Sequence, residues 1–203
     1  MTSPDPSSVR FPGPWEHLDV RANGIRLHAV EYRPEGTEPD ADRPLVVLLH
    51  GFGGFWWSWR HLLPQLHEAG YRAVAFDLRG YGDSDKPPRG YDGWTLSGDV
   101  AGLVRALGHT SAALVGHGEG GLGCWATATL HPRVVSAIAV VSSPHPIALK
   151  RSALRNKDQR SAMLGPITFA QLPRVAEDRL TRDDGAEIGA VYAARSGATS
   201  VGQ

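Results

Sequence analysis

The run Leu114-Val115-Gly116-His117-Gly118-Glu119-Gly120-Gly121 constrains the fold more than any other stretch of the chain. A short hydrophobic strand breaks through closely spaced glycines into a helix that begins near Leu122. Turns of this kind are sharp and strained. In G-x-S-x-G they lift a nucleophilic side chain clear of the sheet, and glycines flank it where neighbouring backbones leave no room for a Cβ. Here Gly116, Gly118 and Gly120 hold the three key positions, and the middle one carries no reactive atom. Glycine accepts the positive-φ geometry of that position without cost, so the turn can outlast the chemistry. Fold and activity are therefore separate questions for this chain.

Around the elbow the pattern alternates strand and helix. His17 to Arg21 and Ile25 to Tyr32 have extended, alternating character, and Asn23-Gly24 between them is a two-residue hairpin signal. Leu45 to Leu49 is an unbroken apolar run, which suits a parallel strand covered on both faces at the centre of a sheet. Trp59, Leu62, Leu63 and Leu66 fall at helical spacing, with Gly70 as the stop and Pro64 expected to kink or shift the helix. Arg72 to Phe76 is a strand. Leu96, Val100, Leu103, Val104 and Leu107 form one helical stripe, with Thr95 as the expected cap. Ala112 to Val115 is the strand entering the elbow, Leu122 to Leu130 the helix leaving it, and Val134 to Val141 one more buried strand. A hairpin followed by alternating strands and helices specifies a mostly parallel α/β sheet.

The flanks read differently. Met1 to Pro14 holds four prolines and three serines and is expected to be a frayed leader. Beyond Ile147 the pattern turns to charge-studded helices, Ala148 to Asp158 and Leu172 to Leu180, and Ser196 to Gln203 is a small, polar, disordered tail. The expected organisation is thus a leader over 1–14, a core over 15–146, a partial helical cap over 147–195 and a tail over 196–203.

Twenty-one basic side chains balance twenty-one acidic ones, without long blocks of one sign, so electrostatic capture of nucleic acid or of an anionic membrane is not indicated. No apolar run approaches membrane-spanning length. The single Cys124 excludes an internal disulfide framework, and no metal-ligand spacing is present. The expectation is a cytoplasmic protein whose partner is a small apolar molecule, with no metal and no cofactor.

Three ordered stretches together resemble the α/β-hydrolase superfamily and, within it, the epoxide hydrolases and the related haloalkane dehalogenases. They are His50-Gly51-Phe52-Gly53 followed by Trp56-Trp57-Ser58-Trp59-Arg60, then Asp77-Leu78-Arg79-Gly80-Tyr81-Gly82-Asp83-Ser84-Asp85-Lys86-Pro87, then the elbow. The resemblance implies an α/β-hydrolase fold incomplete at its C-terminal edge. It also implies an oxyanion hole made by the backbone amides of Phe52 and Glu119, and a pocket bounded by His50, Gly51, Trp56 and Trp57.

The departures from the family are as informative. Epoxide hydrolases carry Asp at the elbow, usually followed by Trp, where this chain has Gly118 and Glu119, and their H-G-x-P turn ends here in Gly53. By resemblance, the relay acid and the base histidine belong after later strands, and this chain stops inside the cap. The candidate catalytic positions are the vacant Gly118 and its neighbours His117 and Glu119, which between them are able to polarise a water. His117 is nevertheless expected to point into the packed layer. Glu119, at a helix N-terminus, is suited to capping or to contact with the pocket. His50 is expected to shape its loop, Asp77 and Arg79 to fix theirs, and Cys124 to pack beneath the elbow as an inert thiol. Trp56 and Trp57 fit a pocket wall and a cover for the sheet equally well. Ser142 and Ser143 end the last strand on the edge where open α/β sheets bind ligands. No acidic residue to hold a ribose ends the strand that follows the elbow helix, so dinucleotide binding is set aside.

The functional expectation is an epoxide-hydrolase-like protein impaired or inactive for want of a nucleophile. A non-catalytic small-ligand binder of the same fold, and a truncated product without function, are the alternatives.

Overall fold

The computed structural model describes residues 5–36, 42–158, 160 and 175–195. The chain divides into two compact units, the first ending at Pro146 and the second beginning at Ile147.

In the first unit, β1 (Trp15–Ala22) and β2 (Ile25–Tyr32) form the expected hairpin, paired from Trp15 with Tyr32 to Ala22 with Ile25. Asn23 and Gly24 both take positive φ, 47° and 80°, which matches the right-handed twist of the flanking strands. The remaining strands are β3 (Leu45–Leu49), β4 (Arg72–Phe76), β5 (Ala112–His117) and β6 (Val135–Val141). They join the hairpin in one sheet of order β1-β2-β4-β3-β5-β6. β2 meets β4 antiparallel, and β4, β3, β5 and β6 run parallel to one another.

The apolar run of β3 explains itself in this setting. Leu45, Val47 and Leu49 enter one core layer with Leu27, Val74, Phe76, Val100, Leu103 and Cys124. Val46 and Leu48 enter the other with Val30, Ala73, Ala75, Trp56 and Leu63. A strand covered on both faces has no position left for polar alternation.

Helix α1 (Leu62–Glu68) follows a 3-10 turn over Trp56–Trp59, so Pro64 falls in the first helical turn, where its missing N–H costs no helical bond. Helix α2 (Gly93–Ala106) is capped by Asp92, whose carboxylate accepts from the amides of Trp94 and Thr95, both at 3.0 Å. Thr95, the expected cap, lies inside the helix. Asp92 outcompetes it because a carboxylate accepts two amides at once and suits the helix dipole. Helix α3 (Glu119–Leu130) begins immediately after Gly118, three residues earlier than its apolar pattern suggests.

Two expectations are corrected. Residues 5–14 are not frayed: a 3-10 turn over Pro6–Val9 leads into Arg10, which pairs with Asp19 and Asp83, and Phe11, whose ring packs tilted against Trp57 with centroids 4.7 Å apart. A large aromatic ring and a bridged guanidinium outweigh what proline-rich composition suggests. β6 is not a buried strand either. Among the described residues only β5 pairs with it, and Val141 is 52% exposed.

In the second unit, α4 (Pro146–Arg155), α5 (Val175–Thr181) and α6 (Ala186–Arg195) are helical, with a 3-10 turn over Arg182–Gly185 between the last two. The helix read from Leu172 starts within the described residues at Val175, and α6 was not anticipated. Arg179 and Glu187 pair at 2.5 Å. Residues 161–174 of the expected cap and the tail 196–203 lie outside the described residues.

Candidate active site

The elbow is a backbone device before it is a chemical one. Gly118 has φ 54° and ψ −114°, outside the regular basins, and its amide donates to Val141 O at 3.0 Å. A Cβ built on Gly116 would meet Gly120 O at 2.5 Å, one on Gly120 would meet His50 O at 2.5 Å, and one on Gly121 would run into Ser143. Those three glycines are demanded by close approach. At Gly118 the nearest atom would be the Gly51 Cα, at 3.8 Å. Space therefore exists for a side chain where none is present.

That contact also joins the elbow to the turn after β3. The amide of Gly54 donates to Gly51 O at 3.0 Å, closing a turn through Phe52 and Gly53, with Gly53 at φ 69°. Proline is locked near φ −65°, so the turn in this chain is of a form that H-G-x-P cannot adopt. Phe52 is 58% exposed beside it. Phe52 and the first helical residue, Glu119, thus stand on the two segments that meet at Gly118.

His50 is fully buried and holds the turn from beneath. Its Nε2 accepts from the amide of Leu78 at 3.0 Å, which leaves Nδ1–H to donate to Gly51 O at 2.8 Å. Both contacts together require the neutral ring, and burial pushes the imidazole below its ordinary pKa, against the opposing pull of Gly51 O and Asp77. It shapes the loop and is not a wall of an open pocket, which corrects its assignment to the pocket. Trp56 is also corrected. Its ring is fully buried, its Nε1–H donates to Val9 O at 2.8 Å, and Trp15, His17 and Trp57 surround it. Trp57 is half-buried between Phe11 and the guanidinium of Arg60, which lies 5.2 Å from its ring.

The loop after β4 is fastened at both ends. Asp77 accepts from Trp56 N at 2.8 Å, Asp83 N at 3.0 Å and His28 Nδ1 at 2.7 Å. Burial pushes its carboxyl up, and these bonds together outweigh the burial and hold it below its usual range. Arg79 makes a bidentate pair with Asp99 of α2 at 2.6 and 2.7 Å. Between these anchors stands Tyr81, whose ring meets His50 edge-on at 4.9 Å and whose hydroxyl donates to Glu119 Oε2 at 2.9 Å. Reading the sequence did not single out Tyr81 as the partner of Glu119, although it lies inside the glycine-rich motif.

Glu119 is exposed at the first turn of α3, so its carboxylate combines the helix-terminus position with a tyrosine donor. His117 is exposed, not packed, contrary to expectation, and its Nδ1 would lie 2.9 Å from a Cβ placed on Gly51. The cause is the alternation along β5: Ala112, Leu114 and Gly116 are buried, and His117 takes the opposite face at the strand's end. Cys124 is fully buried, with burial pushing its thiol up to about 12. It is expected to stay unmodified by a thiol reagent in the native chain and to react with one equivalent after denaturation; fast native labelling would show that it is accessible.

The sequence model of the alpha/beta hydrolase fold matches residues 44–178. The chain belongs to the α/β-hydrolase fold family. Among curated relatives of this α/β-hydrolase, Epoxide hydrolase 4 of Mus musculus is 35% identical over 185 residues, covering 88% of this chain and 49% of that protein. Epoxide hydrolase B of Mycobacterium tuberculosis is 44% identical over 130 residues, covering 63% of this chain and 35% of that protein. Among solved structures, an F128A mutant epoxide hydrolase from Bacillus megaterium, complexed with its product, aligns with a TM-score of 0.72 at 31% identity, covering 86% of this chain and 58% of that one. Epoxide Hydrolase A from Mycobacterium thermoresistibile aligns at 0.67 with 36% identity, covering 82% and 51%. The α/β-hydrolase described here is epoxide-hydrolase-like, and it spans about a third to about half the length of these two curated relatives. Among its described residues no helix is long and apolar enough to cross a membrane.

Proposed function

We propose that this chain keeps the recognition half of an epoxide-hydrolase-like site, binding a small apolar molecule at the elbow without turning it over. The observation that supports this reading is Gly118. It has the strained backbone of a nucleophile position and open space in the side-chain direction, flanked by glycines whose own neighbours forbid a Cβ. In this reading the amides of Phe52 and Glu119 line an oxyanion hole, Trp57 and Phe52 offer apolar surface, 15–146 is the core and 147–195 a partial cap. The protein acts in the cytoplasm.

A carboxylate at Gly118 tests it. Gly118→Asp places the nucleophile the elbow lacks, at a strain cost of about 1–3 kcal/mol for a non-glycine residue in this conformation. With an aryl glycidyl ether, Gly118→Asp is expected to gain one covalent equivalent by intact mass. The carboxylate oxygen bonds to a ring carbon, the C–O bond opens, and the alkoxide takes a proton from water. The parent chain is expected to gain no adduct, to bind the ether saturably, and to form diol no faster than buffer. A second reading rests on the exposure of His117 and Glu119 beside the vacant position, where they are able to polarise a water. Diol formation by the parent chain that disappears in His117→Ala or Glu119→Ala would establish it and overturn the first.

A further inference from the structure

Three segments converge at the elbow: the turn after β3, the loop after β4 and the first turn of α3. Each adds one side chain to a connected line. His50 Nδ1–H donates to Gly51 O at 2.8 Å, the Tyr81 ring meets the His50 ring edge-on at 4.9 Å, and the Tyr81 hydroxyl donates to Glu119 Oε2 at 2.9 Å. His50 is fully buried and Glu119 exposed, so the line is anchored at one end and open at the other. Gly51, at the anchored end, is also the residue nearest to a side chain placed on Gly118, at 3.8 Å. The carboxylate and the open space at Gly118 therefore share one neighbourhood, on adjacent residues tied to the same turn.

Counting protons shows what the pair offers a ligand. An exposed carboxylate is ionised at neutral pH and has no hydrogen to donate, so the contact has a single assignment, with the phenol as donor. That bond uses the only proton the phenol has. Both groups are left with acceptor capacity alone. Donors stand beside them: the first amides of a helix lack an intrahelical partner, and the N-cap of α3 is Gly118, which has no side chain to satisfy them.

A ligand that suits both sides needs an acceptor and a hydrogen to give. A hydroxyl has both. An ether or epoxide oxygen only accepts, an ammonium only donates, and a carboxylate is repelled by the charge of Glu119. We propose that Glu119, held by Tyr81, sets the specificity of the elbow, and that the ligand it selects is a neutral alcohol on a small apolar body. This rests on the reading of the elbow as a binding site for small apolar molecules and narrows it to hydroxyl donors. Phe52, 58% exposed on the turn after β3, offers the apolar body its surface. A glutamate in a first helical turn also complements the helix dipole. That role is indifferent to what the ligand carries, so an affinity that depends on the ligand's hydrogen separates the two.

Isothermal titration calorimetry of the full chain at neutral pH tests the proposal with three probes that share one aryl body: phenoxyethanol, its O-methyl ether and phenoxyacetate. The parent chain is expected to bind the alcohol about tenfold more tightly than the ether, the effect of one hydrogen bond to a charged group, and to bind phenoxyacetate more weakly than either. Glu119→Ala is expected to lower the affinity for the alcohol to that for the ether. Its unchanged affinity for the ether reports that the variant is folded. Tyr81→Phe, which releases the carboxylate from its hold, is expected to narrow the preference for the alcohol by a smaller factor. Equal binding of alcohol and ether by the parent, a preference that survives Glu119→Ala, or phenoxyacetate bound as tightly as the alcohol would each overturn the proposal and leave the binding of small apolar molecules standing. If none of the three probes binds, the underlying reading fails and the proposal falls with it.

Discussion

Gly120→Ala is expected to destabilise this protein by about 3 kcal/mol or more, while Gly118→Ala, two residues away in the same turn, costs less. At Gly120 a single added methyl runs into Leu49 O, with His50 O at 2.5 Å beyond it. These are backbone atoms of the central strand and of the turn that follows, so no side chain is available to rotate aside. The helix α3 has to lift off β3, opening the contact through which both core layers meet the elbow. Overpacked cores usually cost 1–3 kcal/mol. With rigid backbone on the far side the expected loss is at the upper end or above it, against a total stability of about 5–15 kcal/mol. Gly118→Ala meets only the Gly51 Cα at 3.8 Å and carries backbone strain of about 1–3 kcal/mol. Urea unfolding of both variants checks this. Equal midpoints would mean that the elbow is looser than its contacts indicate.

Asp99→Ala is expected to destabilise the chain by about 3–5 kcal/mol, because it strands a buried guanidinium. Arg79 is 5% exposed and Asp99 2%, and the pair is bidentate. The same carboxylate accepts from Asn23 Nδ2 at 2.7 Å, so the hairpin turn loses a partner too. Removing both charges behaves differently: Arg79→Met with Asp99→Leu is expected to recover most of the loss, since an apolar pair of similar volume avoids desolvating two ions. Denaturant midpoints of the single and double variants decide between a charge penalty and a packing penalty. A double variant as unstable as Asp99→Ala would assign the loss to packing.

Much of the framework was legible because it is written in local pattern. Leu45 to Leu49 announces a strand buried on both faces, and Asn23-Gly24 specifies its turn through backbone preference alone. The flanking glycines of the elbow were legible residue by residue, since Gly116, Gly120 and Gly121 answer to steric demands that leave no alternative. Long-range relations were not. Trp56 and Trp57 are adjacent and alike in sequence, yet one lies under residues 9–11 and the other at their margin, a distinction made by Phe11 and Val9 more than forty residues earlier in the chain. Burial on β6 depends on whether a strand lies beyond it, which its own apolar run does not encode. Helix α6, Ala-Glu-Ile-Gly-Ala-Val-Tyr-Ala-Ala-Arg, is rich in alanine, and its helical preference is easily passed over beside the polar residues that follow. In the candidate site, Gly118 and its flanks were readable, whereas the exposure of His117 and the bond from Tyr81 to Glu119 depend on how separate loops meet.

Asp77 gathers donors from three places: His28 at a sequence separation of 49, Trp56 at 21 and Asp83 at 6. None of these bonds can form until the hairpin, the turn after β3 and the loop after β4 have all reached their positions, because each loop must close before its donor arrives. The carboxylate thus registers completed assembly of the sheet's central half. A chain that has paired its strands but not closed these loops would leave a bare charge among apolar neighbours. Partial folding is penalised at the spot where the supports of the elbow converge.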